Sequence, residues 1–219
     1  MQVRENDKIT LKTGVYTALS LLGKGKSGYS WLVESPRHKA VLKLIHDEPC
    51  PYYNFGDKLG AELSAYDTLS PLMRLPRLLE SDGKGKYLLK EYFPGGPLTA
   101  LIASEELPEE AFRQIFALCA KLYPAGLNLD YFPANFIWHG GELVYIDYEC
   151  NPYSEEWNFE NWGIYYWLNT AGMREFLASG NPLAINIAKD SGKPIAEPFR
   201  AAAEVLKAKY ARRPAGQAA

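Results

Sequence analysis

Apolar and polar residues alternate along much of the first ninety positions, and this alternation predicts strands. Val15–Leu22 is one. Tyr29–Glu34 is the next, with Tyr29, Trp31 and Val33 on one face. After the turn S-P-R-H comes a third, Ala40–Ile45, and two more follow at Leu75–Leu79 and Lys86–Tyr92 across the turn S-D-G-K-G. Within this strand-rich part lies one helix, at about 57–69, whose apolar stripe is Leu59, Leu63, Tyr66 and Leu69. Pro94-Gly95-Gly96 breaks the pattern, which then turns helical. Pro108–Tyr123 carries a helix-starting proline, acidic residues in its first turn and apolar Phe112, Ile115, Phe116, Cys119 and Leu122. An aromatic helix is expected from near Phe159, and a last helix at Glu197–Tyr210. The class is α+β: residues 1–93 as an antiparallel sheet with one helix, 94–213 as a mostly helical part, and 214–219 as a disordered tail.

The chain has 219 residues, 47% of them hydrophobic, with a net charge of -2. That length supports one large domain or two small lobes, burying roughly 70% of the unfolded surface. The balance of charge gives no argument for a nucleic-acid partner. The N-terminus M-Q-V-R-E-N-D-K lacks the apolar run of a signal peptide, and no stretch is long and apolar enough to predict a membrane span. Cys50, Cys119 and Cys150 form an odd set without a C-x-x-C pair, so a disulfide framework or zinc site is not expected and a cytoplasmic location is.

G-K-G-K-S-G at 23–28 places Gly23, Gly25 and Gly28 in a G-x-G-x-x-G pattern. A dinucleotide-binding turn needs a helix directly after it, but Y-S-W-L-V follows. A P-loop fails because its first glycine position is Ser20. Two readings remain: a glycine-rich hairpin that closes over phosphates, and an ordinary flexible hairpin. Lys43 lies in the apolar strand A-V-L-K-L-I. If buried it needs a partner, since an unpaired buried ammonium is costly; otherwise it is an edge lysine facing water. Glu62 borders the helix stripe and is the natural partner, its alternative being a solvated glutamate.

The stretch from Gly126 to Cys150 carries the chemistry. Asp130 is followed after five residues by Asn135, then by a Gly140-Gly141 turn, an apolar strand Leu143–Ile146, and Asp147. Taken singly, these are an acid capping a turn, an amide bonded to backbone and an acid ending a strand. In this order, after the glycine loop and the lysine strand, they resemble the protein-kinase-like superfamily from about Leu21 to Trp167. The resemblance implies a two-lobed protein-kinase-like fold that binds ATP and Mg²⁺. In it, Gly23, Gly25 and Gly28 cover the phosphates and Lys43, paired with Glu62, holds them. The Glu91 carbonyl and Phe93 amide meet the adenine edge, Asp130 is the catalytic base or orienter, and Asn135 and Asp147 bind the metal.

Departures from the protein-kinase pattern move the expected acceptor. Asn128 and Leu129 stand where His and Arg belong, and the metal triplet reads Asp147-Tyr148-Glu149. No long activation segment follows before the aromatic helix. The pattern looks more like choline kinases and aminoglycoside phosphotransferases, with lipopolysaccharide-core sugar kinases and the compact kinases of tRNA-modification complexes as other relatives in size. The expected function is transfer of the ATP γ-phosphate to a hydroxyl of a small molecule. The rivals are a pseudokinase or nucleotide-binding module and an atypical serine/threonine kinase. The eight rings from Tyr148 to Trp167 are expected to fill the core rather than to form an acceptor pocket. His38, His46 and His139 are expected at the surface, and the sequence leaves the oligomeric state open.

Overall fold

The computed structural model describes residues 2–48 and 56–211. Cys50, most of the turn-rich run before the first helix, and the expected disordered tail lie outside the described residues. The described chain forms two units. The first runs to Thr68 and resumes from Leu75 to Phe93; the second takes Leu69–Arg74 and the chain from Pro94 onward.

The first unit holds β1 (Lys8–Leu11), β2 (Gly14–Lys24), β3 (Gly28–Glu34), β4 (Lys39–Ile45), α1 (Lys58–Leu69), β5 (Leu78–Asp82) and β6 (Tyr87–Glu91). The strands pair antiparallel in the order β1-β2-β3-β4-β6-β5. Register sorts the side chains, because alternate residues face opposite sides. Leu42 lies opposite Trp31 and Leu89, on the face that builds the core with Tyr16, Ala18, Val33 and Tyr87. Lys43 lies opposite Ser30 and Leu88, on the other face. Each fully buried large side chain on the core face contributes about 1.5–3 kcal/mol.

Although β1 and β5 are the two edges of this sheet, a carboxylate in the middle of β5 joins it to the turn that follows β1. Glu80 accepts from the Lys12 N–H (2.9 Å), the Thr13 N–H (2.8 Å), the Thr13 hydroxyl (2.6 Å) and the Tyr87 hydroxyl. The Lys12 ammonium also donates to the Ser81 carbonyl at 3.2 Å. The sheet is therefore curled, with the β1–β2 turn held against β5. Burial pushes the Glu80 carboxyl up, but the hydrogen bonds from Thr13, Tyr87 and the Lys12 and Thr13 backbone outweigh it and hold the group below its usual value. Burial and the neighbouring Glu80 push Tyr87 up to about 12.

The second unit contains α2 (Leu98–Ala103), α3 (Glu109–Leu122), β7 (Leu127–Asn128), β8 (Phe136–His139), β9 (Glu142–Tyr145), β10 (Asn151–Pro152), α4 (Ile164–Leu168), α5 (Thr170–Ser179) and α6 (Arg200–Tyr210). Its core is aromatic. Phe159 packs on Phe116 (5.2 Å between ring centroids) and on Trp167 (5.2 Å), and Trp167 packs on Phe136 (5.3 Å) while its ring N–H donates to the Tyr131 carbonyl at 2.9 Å. Gly163 permits the approach, since a Cβ there would stand 2.5 Å from that of Tyr131. Tyr148, Phe159, Tyr165, Tyr166 and Trp167 are buried, as the core reading expects, but Tyr153 and Trp157 are exposed.

The α+β class and the antiparallel sheet with one helix match expectation; several boundaries do not. The strand expected at Leu75–Leu79 is Leu78–Asp82, because Pro76 has no N–H to give a ladder. The strand Leu143–Ile146 is Glu142–Tyr145, and the last helix starts at Arg200, after Pro198, rather than at Glu197. Strand β1 and helices α2 and α5 were not expected. Helix α2 is six residues long, too short for a periodic signal, and α5 carries Gly172 inside it. Among the described residues no helix is long and apolar enough to cross a membrane.

Replacing Glu80 by Ala is expected to lower stability by about 1–3 kcal/mol, because buried donors lose their acceptor. The depressed carboxyl stabilises the fold above the unfolded value of about 4.3, and that contribution disappears as pH falls through the lower folded value. Urea melts at pH 7 and at stepped acid pH check both points: the Glu80→Gln protein should lose less stability on acidification than the parent.

Candidate functional site

Two clusters carry the residues singled out in the sequence, one in each unit. In the first unit, β2 runs through Gly23 to Lys24 and β3 begins at Gly28, so a strand follows the glycine loop. The loop closes tightly, with the Gly25 N–H donating to the Gly28 carbonyl at 2.9 Å. Gly28 is required, because a Cβ would lie 2.5 Å from the Leu44 carbonyl oxygen. At Gly23 a Cβ would meet nothing within 4 Å, and at Gly25 its nearest contact would be 3.9 Å away, so neither glycine is forced by its neighbours. Their missing side chains leave the backbone open to close approach.

Lys43 and Glu62 form an ion pair at 2.6 Å, with side chains 9% and 8% exposed. Both alternatives that leave these residues in water are therefore wrong. Glu62 does not border the buried face of α1 but lies at its centre, between Leu59 and Ala65, both buried. The Ser27 hydroxyl donates to the same Glu62 oxygen at 2.7 Å, while the other oxygen is buried with no hydrogen-bond partner. The glycine loop is thus anchored on the ion pair by its serine.

His46 braces the same loop, which corrects its expected surface role. It is half-buried, and its Nε2 lies 3.1 Å from the Gly25 carbonyl while Nδ1 accepts from the Glu48 N–H at 3.2 Å. A carbonyl needs a donor, so the proton belongs on Nε2. Lys58 of α1 donates to the His46 carbonyl (2.7 Å) and the Lys26 carbonyl (3.3 Å). His139 is half-buried too, against the Pro94 carbonyl, whereas His38 is exposed as expected. Glu91 ends β6, where its carboxylate reaches the Arg77 N–H at 3.1 Å, and Phe93 is buried. Nothing in these contacts assigns either to a ligand.

In the second unit the loop between β7 and β8 holds Asp130 and Asn135. The Phe132 N–H donates to Asp130 Oδ1 at 3.1 Å, and the Asn135 side-chain amide donates to the Asp130 carbonyl at 3.2 Å. The Asn135 carbonyl accepts from the Ile146 N–H at 2.9 Å, drawing the end of β9 to the loop. Asp147 follows directly, and its Oδ1 accepts from the Tyr148 N–H at 2.9 Å. Asp130, Asn135 and Asp147 are all half-buried. Asn128 is buried and spends its amide on the Ser154 carbonyl at 2.9 Å, tying the loop start to the chain beyond Asp147.

Tyr145, two residues before Asp147 at the end of β9, was not singled out in the sequence. It is fully buried, and its hydroxyl donates to the Glu149 carbonyl at 3.0 Å. Burial, then the negative fields of Asp147, Asp130 and Glu149, push it well above the usual tyrosine value, against a backbone hydrogen bond from Asp130. Asp147, Asp130 and Glu149 thus all act on one tyrosine electrostatically. Only an aromatic residue two positions before Asp147 hinted at this in the sequence.

The donor set suits a hard cation. With its N–H₂ group held by the Asp130 carbonyl, Asn135 presents its amide oxygen as an acceptor, and Asp147 brings a carboxylate. Among the described residues no three His, Cys, Asp or Glu form a metal-holding group. One carboxylate and one amide oxygen still fit Mg²⁺, which is commonly held by one or two protein oxygens together with water and substrate phosphates. No protein-family model matches the sequence, and no curated protein matches it.

Substituting Glu62 by Leu, which takes the carboxylate from a buried ammonium, should cost about 3–5 kcal/mol. The Lys43→Met/Glu62→Leu double variant should recover most of that loss. Urea denaturation of the two single variants and the double variant checks the coupling.

Proposed function

We propose that the protein is an ATP- and Mg²⁺-dependent phosphotransferase that acts on a hydroxyl of a small molecule. In this reading its two units are the nucleotide-binding and catalytic lobes of a protein-kinase-like fold. The observation that carries it is the tie between the loop of Asp130 and Asn135 and the strand that leads to Asp147: the Asn135 side-chain amide donates to the Asp130 carbonyl, and the Ile146 N–H donates to the Asn135 carbonyl. Phosphoryl transfer needs positioning and charge stabilisation more than covalent chemistry, and this cluster offers a carboxylate beside a set of hard oxygen donors.

Each residue then has a defined part. Asp130, oriented by the Phe132 N–H, accepts a hydrogen bond from the acceptor hydroxyl and takes its proton, an effect worth ~10²–10⁴-fold. Asn135 and Asp147 would hold Mg²⁺, which when bound offsets phosphate charge. Lys43, held in place by its ion pair with Glu62, contributes a positive charge to the phosphates. Gly23 and Gly25 put no side chain between the loop and the phosphates. Only Tyr148–Asn158 separates Asp147 from the helical segment that begins at Phe159, which leaves no long segment to seat a protein substrate. That favours an amino-alcohol, sugar or aminoglycoside-like acceptor.

One observation favours a second reading, a nucleotide-binding module without turnover. Asn128, where a kinase loop carries histidine, is committed to a structural bond with Ser154.

The Asp130→Ala protein is expected to lose phosphate transfer by at least about 10²-fold while its melting temperature still rises with ATP and Mg²⁺. If ATP no longer stabilises a folded variant, Asp130 is a structural residue and the assignment falls. ADP release measured over a panel of amino-alcohols, sugars and aminoglycosides separates the two readings. Stabilisation by ATP without ADP release from any acceptor would select the module, and phosphate on Ser, Thr or Tyr would select a protein kinase.

A further inference from the structure

The curled sheet has a second feature on the face away from Lys43. Near the Thr13 end of β2 the curl is closed by Glu80. Toward the other end of β2 it opens into a cavity of about 600 Å³, a size within the ~300–1,000 Å³ of small-molecule sites. Its floor is apolar and continues the sheet's core: Trp31, Leu44 and Val3 line it and also belong to, or pack on, the core cluster. Leu21 lies at its margin, 46% exposed, where the β2–β3 register shifts between Ala18 and Ser20 and again between Leu21 and Gly23. These irregularities splay β2 from the regular ladder and leave an aliphatic side chain facing open space.

The rim is charged, and its pairing is uneven. Asp47 is matched by Lys86 at 2.7 Å, and Glu48 by Lys24 at 2.6 Å. Glu48 also accepts from the Tyr29 hydroxyl. Both rim carboxylates are thereby neutralised. Arg4 and Lys84 line the same cavity, and among the described residues no carboxylate pairs with the Arg4 guanidinium or the Lys84 ammonium. An apolar floor under a rim whose unmatched charge is positive selects an amphiphile with an anionic head.

We infer that this cavity is a binding site for an anionic amphiphile, its apolar body on Trp31, Leu44 and Leu21 and its carboxylate, sulfonate or phosphate at Arg4 and Lys84. The site lies on the core face of β4, whereas Lys43 projects from the opposite face. It does not depend on the phosphotransferase reading and stands or falls separately from it.

The test uses the full-length protein and dodecanoate below its micellar concentration, followed by isothermal titration calorimetry. Dodecyltrimethylammonium, with the same chain and the opposite charge, is the control. Dodecanoate should bind saturably at one molecule per chain, and the cationic control at least about tenfold more weakly. The Arg4→Glu/Lys84→Glu variant should weaken dodecanoate by about tenfold or more and bring the two probes closer in affinity. Leu21→Glu, at an exposed position that leaves the core intact, should weaken dodecanoate as well. Absence of saturable binding overturns the inference. So does equal binding of both probes, or affinity unchanged in the Arg4/Lys84 variant while circular dichroism shows it folded.

Discussion

A charged lysine in the middle of an apolar strand is tolerated only if its charge is answered at close range. That constraint shapes the first unit. Lys43 lies on the face of β4 opposite the core, with Leu42 and Leu44 fixed inward by their strand neighbours. Its ammonium meets Glu62, so α1 must present a glutamate at the centre of its buried face. The pair is worth less as a net contribution to stability than as a constraint on arrangement, because desolvating two ions offsets most of their attraction. Strand β4, helix α1 and the glycine hairpin, held by Ser27, are thereby fixed to one another within the unit.

The second unit solves a different problem, that of holding carboxylates near one another. Like charges repel, and separate loops would let them drift apart. Here the Asn135 backbone and side chain bind both the Asp130 carbonyl and the end of β9. Tyr145, at the end of β9, is fully buried with its hydroxyl bonded to the Glu149 carbonyl. The aromatic core beneath, built on Phe159 and Trp167, gives that loop a rigid floor through the bond from the Trp167 ring to the Tyr131 carbonyl.

Alternation and punctuation made much of this legible in the sequence. The strands around Trp31 and Leu42 were visible because side-chain period is a local property. So was the helix that carries Glu62, though its stripe misled: the buried face includes the glutamate itself, and a pattern that counts only apolar residues places it at the margin. Strand β1 alternates Lys8-Ile9-Thr10-Leu11 but is only four residues long, too little to separate from a loop. The bracing by His46 and the Ser27 anchor depend on hydrogen bonds between distant parts of a chain. Composition and spacing carry no record of such bonds.

The Glu80 clasp bears on how the protein behaves in a crowd. Beta strands at the margin of a sheet expose unpaired backbone groups that can recruit other chains. In this fold the two marginal strands are short, and the middle of one is fastened by a carboxylate to the turn that leads out of the other. Protonating Glu80 would weaken the hydrogen bonds that tie the two borders of the sheet, so acid and the exposure of those borders are linked through one side chain.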